Sequence, residues 1–129
     1  MTADRKTALR NLAVGDIFHA RSSNGASLVC LVTAIDDDAI YARRIHTQDD
    51  ERFDRNTGFE IGKSHVKIDC VAPFPPDIRH IFLEMDRKYR ELMALVRQGV
   101  ELTLDQTKMT ADEKRASLFI DEHVSANPI

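Results

Sequence analysis

The sequence has no tryptophan, two tyrosines and six phenylalanines in 129 residues, so an aromatic cage has little to be built from. Cysteine is equally scarce. Cys30 and Cys70 are too few for a disulfide framework, and a reducing cytoplasm is the default compartment. Five glycines, widely spaced, leave no phosphate-cradling loop and no dinucleotide fingerprint. The longest mostly apolar run, residues 26–35, is far short of the ~20 that a membrane helix needs. The opening residues Met1-Thr2-Ala3-Asp4-Arg5-Lys6 put no apolar stretch behind their basic pair, so no secretory leader is expected. Neither sign of charge dominates. The net charge is −3, and residues 10–75 and 76–129 each carry eight basic and ten acidic side chains. That balance disfavours a broad, sequence-independent grip on duplex DNA and leaves room only for a focused site.

What is present is the profile of one compact domain, 43% apolar and 30% charged. It changes period once. Residues 14–72 show short apolar runs broken by turn chemistry, the pattern of a small all-β unit, and an N-terminal arm of residues 1–13 precedes them. Strands are expected at Ile17–Arg21, Leu28–Ile35, Ala39–His46, Arg52–Arg55, Phe59–Ile61 and Val66–Val71. The second strand is apolar on both faces, with Leu28, Cys30, Val32 and Ala34 on one and Val29, Leu31 and Ile35 on the other. It should therefore be covered twice. Asn56-Thr57-Gly58 fits a three-residue hairpin loop closed by a glycine bulge.

Pro73-Phe74-Pro75-Pro76 then ends the β unit, because three prolines in four residues cannot continue a central strand. From Asp77 the period is helical, and residues 77–129 read as a helical extension. Ile78, Ile81, Phe82, Met85, Tyr89, Leu92, Met93 and Val96 form one stripe on a helix of about residues 77–98, with Gly99 as its stop. The capping box Thr110-Ala111-Asp112-Glu113 predicts a shorter helix over about 110–124. The expected fold is α+β: a small barrel, a long amphipathic helix on the outer face of the second strand, and a shorter C-terminal helix.

Gly15-Asp16, a strand, a Gly25 loop, a β-branched strand ending at Ile35, acidic residues and then Ile40-Tyr41-Ala42 follow the order of the SH3-like barrels of the KOW and Tudor type, which this half of the chain resembles. The resemblance implies a binding module for RNA, nucleic-acid-associated proteins or peptides.

Few residues offer chemistry. No two of the five histidines stand at a metal-ligand spacing and no Cys-x-x-Cys occurs, so neither zinc nor another cofactor is expected. Asp36-Asp37-Asp38 and Asp49-Asp50-Glu51 read as solvated turns. No local motif marks a Ser-His-Asp set, and the reading is of a protein that is not an enzyme. Arg43, Arg44, Arg52 and Arg55, interleaved with Tyr41 and Phe53, combine cations for phosphate with rings for stacking. Nucleic acid at that face is the leading expectation. A homodimer is expected, its seam on the helical stripe at Met85, Tyr89, Leu92, Met93 and Val96, and a protein–protein adaptor or dimerisation module using that half is the alternative function. A small metal-dependent enzyme using the acidic clusters is the third reading.

Overall fold

The structure, a computed structural model, describes residues 4–129 apart from the side chains of residues 63 and 64. Six strands form a closed antiparallel barrel in chain order: β1 (Ile17–Ser22), β2 (Ser27–Ile35), β3 (Ala39–Arg44), β4 (Asp50–Asp54), β5 (Phe59–Glu60) and β6 (Lys63–Cys70), with β6 pairing back on β1. Closure removes the free strand edges. A short helix α1 (Arg5–Arg10) precedes the barrel, and α2 (Pro76–Arg97), α3 (Leu104–Thr107) and α4 (Ala111–Ala126) follow it. The expected α+β order of barrel, long helix and C-terminal helix is the observed one. No described helix is long and apolar enough to cross a membrane.

Inside the barrel, alternate residues supply Phe18, Cys30, Val32, Ile40, Phe53 and Ile68, all essentially unexposed, with Phe18 edge-on to Phe53 at 5.3 Å between ring centres. The arm expected over residues 1–13 contains structure. Residues 1–3 lie outside the described part, but Asp4 caps α1 through the Lys6 amide, and Leu9 and Leu12 join the barrel core. The Arg5 guanidinium ties α1 down by donating to the carbonyls of Thr57 and Ile68. Gly58 lies directly beneath it at φ +76°, where any Cβ would run into that guanidinium. The loop therefore needs glycine for its left-handed backbone, and a side chain there would also push the Arg5 guanidinium off its carbonyls.

The second strand departs from strict alternation. A bulge between Val32 and Ala34 shifts the pairing to β3, so Ala34 faces solvent and Ile35 turns to the barrel core. The face assignments expected for those two residues are reversed, because one extra residue inverts everything beyond it.

The outer face of β2 is covered as expected, and that of β1 is covered with it. Ile17, Val29, Leu31 and Ile45 pack with Ile78, Ile81, Phe82 and Met85 of α2 in a second core. Phe74 anchors the proline segment there, 5.0 Å from Phe82 and stacked at 4.1 Å on His123 of α4. α4 begins with the predicted capping box, in which Thr110 and Glu113 satisfy one another's backbone amides. Glu113 also accepts from Lys88 at 2.9 Å and from the Tyr89 hydroxyl at 3.2 Å, so the cap fastens α4 to α2. Phe82 is 1% exposed. Phe82→Ala should cost about 3–5 kcal/mol in urea unfolding. A loss below about 1 kcal/mol would mean that α2 is not seated on the barrel.

Candidate functional site

The residues of the basic face have separate fates. Arg43 reaches α2, where its Nε and Nη2 donate to both carboxylate oxygens of Asp86 at 3.0 and 2.8 Å. Gln48 donates to the same carboxylate at 2.9 Å and to the Ile45 carbonyl, from a left-handed backbone at φ +64°. Such a conformation in a non-glycine residue costs energy and is held here by its two hydrogen bonds. Arg55 donates to the carbonyls of Asp36 and Arg10, bracing the turn against α1. Phe53 is fully inside the barrel and has no face for a base. Arg44 lies 3.9 Å from Glu51. Arg52 is exposed opposite Tyr41, whose hydroxyl donates to Asp36. Asp36 in turn accepts from the amides of Asp38 and Ala39, the local turn chemistry read from its sequence. The four arginines do not form one open cationic surface.

On the helical stripe, Met85 and Tyr89 are buried within the chain, Leu92 and Met93 are half-buried, and Val96 is exposed. Among the described residues no three His, Cys, Asp or Glu side chains gather as metal ligands. Burial pushes the thiols of Cys30 and Cys70 up, away from the reactive thiolate.

A different region gathers polar groups around a concave surface. Between the outer face of β2, the turn after β3, α2 and α4 lies a cleft of about 430 Å³. Val29, Ile45, Phe82, Met85 and Ile120 contribute to its apolar walls, and Ser27, Arg44, His46 and Asp121 to its polar ones. At Ser27 the cleft meets an ordered chain of side chains. Ser27 Oγ is 3.0 Å from His19 Nε2, and His19 Nδ1 is 2.5 Å from Asp69 Oδ1. His19 is wholly buried, whereas Ser27 is exposed. A carboxylate only accepts, so Nδ1 carries the proton, and in the neutral ring Nε2 accepts from the Ser27 hydroxyl. A bulge supplies the third member: the β1–β6 register steps from His19↔Cys70 to Ala20↔Ile68 and leaves Asp69 without an opposite residue. Arg21 Nε holds the other carboxylate oxygen at 3.4 Å.

No local motif in the sequence marks this set. His19 and Ser27 are diagonal neighbours across one hairpin, visible once the strands are registered, but Asp69 arrives from 50 residues away through a bulge with no sequence signature. A further cluster lies on β5 and β6, where Phe59 is 39% exposed with Lys67 Nζ 5.5 Å from its ring centre. His65 and Arg21 line the same shallow depression. Comparison with protein-family models, with curated proteins and with solved structures finds no match.

Burial pushes the Asp86 carboxyl up, but hydrogen bonds from Arg43 and Gln48 and the arginine charges outweigh it and hold the group below the ordinary aspartate range. Glu113 follows the same balance, with Lys88 and the Thr110 cap prevailing over burial. The Tyr89 hydroxyl is pushed up to about 12 by burial and by Glu113. A carboxylate with a depressed folded pKa contributes stability that is complete above its unfolded value and is lost as pH falls through the folded one. Stability to urea should therefore decline as pH drops below about 4, near the ordinary carboxylate values. Asp86→Ala should flatten that decline and cost about 3 kcal/mol at pH 7, because Arg43 is left half-buried and unpaired. Unchanged acid dependence in the variant would remove the pair from the account.

Proposed function

We propose that the protein is a binding module whose ligand occupies the cleft between the barrel and the α2–α4 pair. The observation that carries this is the 430 Å³ volume itself, apolar along the walls with few polar groups, which is the chemistry of small-ligand sites. A ligand matching it is amphiphilic, its apolar body against Val29, Phe82 and Ile120 and its polar end toward Ser27, Arg44 and His46. The SH3-like barrel would be the platform, in keeping with the KOW and Tudor resemblance. Two free, buried cysteines favour a cytoplasmic setting.

Nucleic-acid contact is the second reading, and it moves to another face. Arg43, Arg55 and Phe53 are occupied by internal contacts, while Phe59, 39% exposed, sets a ring beside the Lys67 cation in a depression that His65 also lines.

One titration series tests both. A fluorescent polyene fatty acid should bind saturably, and Ser117→Trp, which fills the cleft, should weaken it about tenfold or more. Fatty acid that does not saturate, or that ignores Ser117→Trp, would contradict the cleft reading. Oligonucleotide binding that falls with salt and is lost in Phe59→Ala would move the function to β5 and β6.

A further inference from the structure

We infer that Ser27, His19 and Asp69 form a nucleophilic serine centre that takes an acyl group from an ester whose acyl chain lies in the cleft. The inference rests on the cleft reading for where that chain lies, and on independent geometry for the chemistry. Three features separate the set from a histidine that is merely satisfied in its burial. Both ring nitrogens are committed in the order a general base requires, Nδ1 to a carboxylate at 2.5 Å and Nε2 to a hydroxyl at 3.0 Å. Ser27 is the exposed member and borders the cleft, so a reacting carbonyl would have access to it while the base stays shielded. The carboxylate is delivered by a strand bulge, a device that re-aims a single side chain, and Arg21 anchors its second oxygen.

The roles follow from position. Ser27 Oγ attacks the ester carbonyl carbon, and its proton passes to His19 Nε2. The tetrahedral species then expels the alcohol, which leaves with that proton, and an acyl–Ser27 ester remains. Water attacks this ester, gives a proton to His19 Nε2, and releases the carboxylic acid as Ser27 Oγ recovers its hydrogen. Asp69 touches no reacting atom and is a positioning residue, fixing the His19 tautomer and facing the imidazolium when it forms. Arg44 is the cationic donor among the cleft's side chains, and negative charge on the carbonyl oxygen would be met from it. The substrate class is an ester of an apolar acyl group, because Ser27 adjoins walls formed by Val29, Phe82 and Ile120.

The test is covalent labelling of the full chain with an alkyl fluorophosphonate, read by intact mass and peptide mapping, beside turnover of p-nitrophenyl butyrate. One adduct should form, on Ser27, and be absent in Ser27→Ala, which should keep a cooperative melting transition, lowered modestly because buried His19 Nε2 loses its partner. Asp69→Asn should lower kcat about 100-fold or more with KM unchanged, a split that loosened packing alone would not produce. No adduct, an adduct only on another serine, or ester turnover undiminished in Ser27→Ala would overturn the centre. Fatty-acid binding without a Ser27 adduct would overturn the centre while the cleft reading stands. A Ser27 adduct without fatty-acid binding would uphold the centre and remove the cleft reading.

Discussion

The rest of the structure depends on the seating of α2 on the outer face of the barrel. A six-stranded barrel this small fills its interior with side chains such as Phe18 and Phe53, yet β1 and β2 also carry Ile17, Val29 and Leu31 outside. Those side chains need a cover, and burying apolar surface at about 25 cal/mol per Å² is the main reason a helix remains there. Packing alone does not set the helix's position along the sheet. The two-pronged Arg43–Asp86 pair, joined by Gln48, supplies that directional constraint, because a planar guanidinium satisfies a carboxylate in few orientations.

From this seating the cleft follows. α4 folds back along α2 because Glu113 serves at once as its N-terminal cap and as the partner of Lys88 and Tyr89. Phe74 and His123 then pin its far end, where His123 stacks on Phe74 and its Nε2 donates to the Ala72 carbonyl at 2.9 Å. Held at both ends, α4 lies over the sheet without filling all the space between, and the residual volume borders Ser27. Binding and acyl chemistry are therefore proposals about one place, reached from the packing in one case and from the hydrogen bonds in the other.

How much of this was legible depended on the distance over which the information is written. The strand order, the proline boundary, the α2 stripe and the Thr110 box are local patterns, and each element lies within a few residues of its expected position. Helix α1 was not legible: Leu9 alone is buried along its six residues, which is too little for a period to show. The bulges at Ala34 and Asp69 were hidden for a similar reason, since one added residue leaves composition unchanged and alters only what faces what. The basic face failed on pairing. Arg43 is matched by an aspartate 43 residues later, and no charge count near position 43 discloses that. The His19–Ser27–Asp69 set combines both obstacles, a strand register and a bulge.

The shared core makes the barrel and α2 one cooperative unit. Native-state hydrogen exchange tests it most directly, because it assigns an opening free energy to each segment. The account predicts that amides of residues 78–89 and those of β1–β3 open together, at the free energy of global unfolding. Residues 96–104, at the exposed end of the helical half, should exchange far faster. If residues 78–89 instead open at a much lower free energy than the strands, α2 is an appendage. The cleft and the chemistry proposed beside it would then lack a fixed wall.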